Sequence, residues 1–316
     1  MTARPPEGVL LMTYGSPVSL DEAGVGRYLA AVRGGRPADP GLVTEFTRRY
    51  RVIGGSPLIE RTREQAAALE DRLGDGTLVR AAMRFSEPSI ESGLRELAAA
   101  GVARAAGIIL SPQYSPLLMG GYARALDAAR DAIGPSAPEV VVAGAWHREP
   151  ALVEALAGRI RDALAADGDD DGRDPVLLTA HSLPRTVAER EPDYLAQLRE
   201  SAELVAAAAG LADDQWQFCW QSAGHEPGEW MKPDFADLMP DLAAAGHRLV
   251  VVAPIQFLAD HLEILYDVDI GAREQAESAG LTFRRIASLN DDTGLIEALA
   301  VVVGRTARVG DPPAVA

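Results

Sequence analysis

The sequence predicts an α/β protein of two domains, 1–145 and 146–316, each with a four-stranded parallel sheet flanked by helices and a cleft between them. Three observations carry that expectation. Short apolar runs alternate with long stretches rich in Ala, Leu, Arg and Glu along the whole chain. The apolar runs are continuous, the pattern of strands covered on both faces. And "VLLMTYGSP" near the start is echoed by "VLLTAHSLP" near the middle, which suggests a duplicated half.

The first half opens on the strand candidate "GVLLMTY", then "YLAAVRGGRP" and "TRRYRVIGGSPL", which supply Arg33, Arg36, Arg48, Arg49, Arg51 and a glycine-preceded Ser56. The stretches "PLIERTREQAAALEDRL" and "SIESGLRELAAAG" read as helices around the strand "TLVRAAMRF", and "AAGIILSPQ" and "EVVVAGAW" complete the half. The second half repeats the plan with "PVLLTAHS", the helix "DYLAQLRESAELVAAAAG", then "QWQFCWQS", "RLVVVAPI" and "LTFRRIAS". Acidic, glycine-rich "AADGDDDGRDP" at 165–175 reads as a surface loop between elements.

With 316 residues, 47% hydrophobic and 24% charged, the chain has the composition of a soluble globular protein. A net charge of −16 with no basic block argues against nucleic acid and against docking on an anionic membrane, while favouring the capture of cations. No apolar run is long enough for stable membrane insertion or for a signal peptide, so the expected location is the cytoplasm. The single cysteine, Cys219, excludes an internal disulfide and an iron–sulfur cluster ligated by this chain's cysteines; it reads as a buried, inert thiol.

Ligands of open α/β sheets bind beyond the carboxyl ends of the strands. The echo puts Tyr14 and His181 at equivalent positions, each at the end of a first strand, so the two would face each other across a cleft. "SPQYSP", "WQSAGHEPGEW" and "PIQFLADHLE" follow their strands at the same edge. His225 reads as a loop residue, and His147 and His247 as ordinary helix-edge residues. On a helix, Asp260, Glu263 and Asp267 share one face by their i, i+3 and i+7 spacing. His261, about 200° from Glu263 on that helix, would point elsewhere. The stripe has two readings, a solvated surface face or a carboxylate path for protons or a hard cation. A neutral imidazole at His181 facing those carboxylates could ligate a borderline metal such as Fe²⁺ or accept a proton. Gly54 and Gly55 could turn backbone N–H groups towards an anion, with the Ser56 hydroxyl beside them. The arginines of the first half are either solvated helix faces or a grip on an organic carboxylate. No dinucleotide, nucleoside-triphosphate or serine-hydrolase motif occurs.

These motifs together resemble the ferrochelatase family, in which Fe²⁺ is inserted into a porphyrin. "VLLMTYGSP", "YRVIGGSPL", "SPQYSP", "LLTAHSLP" followed by "DYLAQL", "FCWQSAG" and "PIQFLADHLEILYDVD" fall in family order, nearly end to end. The resemblance implies two Rossmann-like (chelatase-type) domains. It implies that His181 and Glu263 bind the incoming iron and serve the proton transfers. It also implies that Tyr14 contacts the metal of the product from the opposite side, and that Arg33, Arg49, Tyr50, Ser56 and Tyr122 hold the macrocycle and its propionates. Tyr14 points to the Gram-positive coproporphyrin III type over the protoporphyrin IX type. A monomer meeting a transient heme-pathway partner is expected. There are departures from the family pattern. Gly271 stands where relatives often carry a further carboxylate, with Glu274 one turn on, and Gly34 replaces a possible propionate contact. Two other readings remain at this stage, a non-catalytic heme or porphyrin carrier and a chelatase for another metal and tetrapyrrole.

Overall fold

The computed structural model describes residues 7–166, 174–224 and 228–309. His225 and most of the acidic 165–175 stretch lie outside the described residues. The chain divides into two compact units. One holds the described residues of Met1–Pro112, Pro116–Trp146 and Asn290–Ala316; the other holds Gln113–Ser115 and His147–Leu289.

The first unit is built on strands β1 (Glu7–Thr13), β2 (Thr77–Met83), β3 (Arg104–Ile109) and β4 (Glu139–Val142), all parallel, in the order β2-β1-β3-β4. The second is built on β5 (Val176–His181), β6 (Trp216–Gln221), β7 (Leu249–Pro254) and β8 (Thr282–Arg285), also parallel, in the order β6-β5-β7-β8. The two orders are the same permutation, so the echo between the halves reflects a repeated topology. The central strands β1, β5 and β7 are buried almost throughout, whereas the edge strands β4 and β8 are mostly half-exposed. Helices cover both faces, and the unbroken apolar runs of the central strands are the consequence.

All eight strands form where the sequence places them, each slightly shorter than its apolar run. Two features go beyond that reading. The helix Thr293–Val309, expected within 146–316, packs in the first unit against β3 and the helix Leu58–Leu73. Leu295, Leu299 and Val302 are fully buried there, and Arg72 grips Glu297 through two contacts of 2.5 and 2.7 Å. The "QYS" stretch after β3, Gln113–Ser115, belongs to the second unit: Tyr114 exchanges hydrogen bonds with Gln197 (2.8 and 3.1 Å) and Ser115 donates to Glu191.

Candidate active site

Each sheet brings its chemistry to the carboxyl edge. In the first unit Tyr14 follows β1 directly and is 44% exposed, a large exposure for an aromatic ring beside a core strand. Its ring meets Phe85 edge-on at 4.7 Å. The Arg84 guanidinium stands over three rings, at 4.5 Å from Phe85, 5.4 Å from Tyr122 and 5.9 Å from Tyr14. Thus Tyr14 and Tyr122, two of the expected ring contacts, share one cation that the sequence reading did not single out. Gly121 makes the arrangement possible: a Cβ there would lie 1.8 Å from Arg84 Nη2. Tyr122 is buried, and that burial pushes its phenol far above the ordinary value, so it stays protonated.

The other expected porphyrin contacts lie on the neighbouring helices. Arg33 caps the helix Glu22–Val32, and Arg49 and Tyr50 lie on the helix Pro40–Val52. Arg49 pairs with Glu45 at 2.8 Å, and Glu45, gripped by Arg48 and Arg49, is held at about 2. Tyr50 is buried edge-on against Tyr28 at 6.5 Å, and the Tyr28 hydroxyl donates to the Gly15 carbonyl, one residue past Tyr14. Tyr50 therefore supports the Tyr14 turn from within. The expectation that Gly54 and Gly55 offer N–H groups to an anion fails. Gly55 N–H donates to Tyr50 O and Gly54 N–H to Arg51 O, closing the helix with Gly54 left-handed at φ 73°. Those donors are spent inside the chain. Ser56 follows, its Oγ accepting from the Leu58 N–H at 3.4 Å.

In the second unit His181 ends β5. Its backbone N–H donates to Gln256 Oε1 at 2.7 Å, and Gln256 in turn donates to the Tyr194 hydroxyl. His181 Nδ1 contacts the Ser182 carbonyl. A carbonyl only accepts, so Nδ1 carries a hydrogen, and in the neutral ring Nε2 then has the lone pair. His261 repeats the device, with Nδ1 on the Ala259 carbonyl at 2.9 Å. The two Nε2 atoms lie 3.7 and 3.8 Å from the same oxygen, Glu263 Oε2. That oxygen is buried and has no hydrogen-bond partner, since neither contact is short enough to be one. Burial alone would raise the Glu263 carboxyl; attraction to His181, then to His261, outweighs it and holds the group below the ordinary value. Phe257 packs edge-on against His181 (6.3 Å) and against His261 (4.6 Å), and Trp230 lies 6.4 Å from the His181 ring.

His261 corrects the helical-wheel argument, which had turned it away from Glu263. The helix begins only at Leu262, so His261 lies in the irregular entry and its angle is free. The segment Glu263–Ala272 is a π-helix. Ile264, Val268, Ala272 and Ala276 are fully buried at strict four-residue spacing. On an α-helix such a row would wind about 40° per step off one face; the wider π turn over Ile264–Ala272 winds it the other way, and the α-helical step to Ala276 partly undoes that, so the row stays on the buried side. Glu263, Asp267 and Gly271, each one residue earlier, share the adjoining face. Asp260 lies outside the helix and leaves the stripe: it accepts from Ser288 Oγ at 2.7 Å and pairs with Arg285 at 3.6 Å. Glu274 is exposed on the following helix Arg273–Ser278.

Elsewhere, Cys219 is fully buried, and that burial drives its thiol pKa strongly upward, the state of an inert core thiol. His147, just before the helix Pro150–Ala165, is buried against Glu200 at 2.9 Å. Among the described residues, no helix is long and apolar enough to cross a membrane, and no group of three or more His, Cys, Asp or Glu side chains is disposed to hold a metal ion together.

The family model described as Ferrochelatase matches residues 6–307. A ferrochelatase of Deinococcus radiodurans is 39% identical over 312 residues, covering 97% of this chain and 98% of that protein. A coproporphyrin III ferrochelatase of Geobacillus kaustophilus is 35% identical over 313 residues, covering 96% and 97%. Among solved structures, SirB from Bacillus subtilis with Fe³⁺ superposes with a TM-score of 0.61 over 96% of each chain at 12% identity, a likeness of fold. Paired histidines on one buried carboxylate oxygen, a tyrosine at the matching strand end and a family match over nearly the whole length agree: the chain belongs to the ferrochelatase family, enzymes that insert iron into a porphyrin in heme biosynthesis.

Proposed function

We propose that the protein inserts Fe²⁺ into coproporphyrin III, with His181 and Glu263 receiving the metal and passing on the two pyrrole protons. The observation that carries the proposal is the convergence of His181 Nε2 and His261 Nε2 on Glu263 Oε2 at 3.7 and 3.8 Å. Both imidazoles have their Nδ1 hydrogens tied to carbonyls, so both offer a lone pair at the same point. One can guide the cation while the other takes a proton, and the carboxylate balances either charge. A metal held by so few protein donors keeps coordination positions free for the ring nitrogens, which suits transfer better than storage.

In the first unit, Tyr14 offers an exposed phenol as a ligand to the iron of the product. Arg84, half-buried among three rings, is placed to take a propionate, with Arg33, Arg49 and Ser56 as further polar contacts and Tyr50 and Tyr122 as packing support. Several carboxylate contacts favour a ring with more propionates, and relatives that carry the coproporphyrin name support the same choice. Binding energy from those contacts can offset the cost of bending the macrocycle.

The test is anaerobic insertion by the purified protein, with Fe²⁺ supplied to coproporphyrin III and to protoporphyrin IX in separate reactions and followed in the visible bands. Fast turnover of coproporphyrin alone is expected. A preference for protoporphyrin overturns the ring assignment, and tight ring binding without insertion replaces the enzyme by a carrier.

A further inference from the structure

Four carboxylates crowd the segment 260–269, yet they do not share one environment. Arg285, the last residue of β8, forms a bidentate pair with Asp269: Nε lies 2.6 Å from Oδ1 and Nη2 3.0 Å from Oδ2. Its Nη2 also lies 3.6 Å from Asp260 Oδ1. Its Nη1 donates to the Ile286 carbonyl (2.9 Å) and to Ser288 Oγ (3.1 Å), and Ser288 donates to the same Asp260 oxygen at 2.7 Å. One guanidinium, only 14% exposed, thus holds both ends of the stretch that carries His261, Glu263 and Asp267.

We infer that Arg285 is a positioning residue for metal capture. The reasoning has two parts. Asp260 precedes Glu263 by three residues and Asp269 follows it by six, so fixing both against β8 fixes the loop and the first turns of the π-helix between them. Glu263 Oε2 has no hydrogen bond of its own to set its place, so its 3.7 Å approach to His181 depends on where the helix is anchored. Secondly, the Arg285 guanidinium engages both Asp260 and Asp269 and offsets one of their two charges. The four carboxylates are thereby sorted into two that brace the helix and two, Glu263 and Asp267, on its other face. A cation reaching this acidic stretch meets a directed pair in place of a diffuse cluster. Arginine is required for this, because a lysine ammonium supplies the charge but not the planar fork that grips one carboxylate twice while reaching a second.

The inference rests on the reading of His181 and Glu263 as the metal-receiving pair. The experiment compares the full-length wild type with Arg285→Lys and Asp269→Asn, using Co²⁺ binding by calorimetry, coproporphyrin binding by fluorescence quenching, and insertion kinetics. Both variants should bind Co²⁺ at least about tenfold more weakly and raise the KM for metal, with ring affinity changed by less than about twofold. The double variant should be no worse than either single one, because both break the same clamp. Circular dichroism melting shows whether each variant is folded at the assay temperature; an unfolded Arg285→Lys leaves Asp269→Asn to decide. Unchanged Co²⁺ affinity in a folded variant overturns the inference, as does a parallel loss of ring affinity. If the wild type binds Co²⁺ but inserts no metal, the functional reading fails while the binding comparison still judges Arg285.

Discussion

An alanine at position 121 would separate ring binding from stability. Its Cβ would sit 1.8 Å from Arg84 Nη2, 2.0 Å from Cζ and 2.5 Å from Nη1, against an ordinary contact of about 3.5–4.0 Å. The guanidinium must therefore retreat by about 2 Å, and it can, being the far end of a flexible side chain. It then leaves the three rings it stands over, each such contact worth about 0.5–1 kcal/mol at a half-exposed site. It also withdraws from a propionate, a charge-assisted bond of about 1.5–3 kcal/mol. That second loss corresponds to a coproporphyrin Kd about 10- to 150-fold weaker. The helix Pro116–Ile133 meanwhile gains about 0.5–1 kcal/mol from replacing an interior glycine, which offsets about a third of the lost cation–π contact. Fluorescence quenching should show the weaker ring binding while the melting temperature falls by only a few degrees. Arg84→Ala should reproduce the loss. If Gly121→Ala binds the ring normally, or Arg84→Ala does, the propionate role of Arg84 is wrong.

His181→Ala should abolish insertion and leave coproporphyrin quenching nearly unchanged; near-normal turnover removes its central role. Glu263 is held ionised to below its ordinary value, so it carries its charge throughout the neutral range. Glu263→Gln should lower turnover strongly with a smaller change in coproporphyrin affinity; the reverse pattern would make it a binding residue. Tyr14→Met should change the visible spectrum of the iron–porphyrin product more than the rate, and an unchanged spectrum excludes a Tyr14–iron bond. At Gly271 a Cβ would meet only the Tyr266 carbonyl, at 3.8 Å, so Gly271→Ala should raise stability by about 0.5–1 kcal/mol in chemical denaturation; a drop would show the π turn needs glycine there.

The strands and the duplicated half were legible because burial on both faces leaves unbroken apolar runs and the first strand is echoed; the strand order was not. Tyr14 and His181 were legible for a related reason, since a duplicated strand end marks a duplicated functional edge. His261 was not, because the argument assumed 3.6 residues per turn where the chain enters late and then widens. The period-four row Ile264, Val268, Ala272, Ala276 was the signal that could have warned of it. Arg84 is one of 30 basic residues; of its three aromatic partners only Phe85 is near it in the chain, while Tyr14 follows β1 and Tyr122 lies on the helix Pro116–Ile133. Asp260 read as part of an acidic path because its partner Arg285 lies on β8, out of reach of any spacing rule.

The helix Thr293–Val309 completes the first unit from the far side of the second in the chain. During synthesis the ribosome therefore finishes residues 147–289 before it supplies the last helix of the unit it began first. Domains generally fold as they emerge, N-terminal first, but here the first unit waits. Its β3 and β4 leave a face uncovered until Leu295, Leu299 and Val302 arrive. Those three buried side chains are worth about 5–9 kcal/mol together, comparable with the whole stability of an ordinary domain, about 5–15 kcal/mol. Translation that stops short of residue 293 would leave a finished second unit joined to a first unit that cannot close its own core, and such fragments are expected to go to proteolysis as a whole.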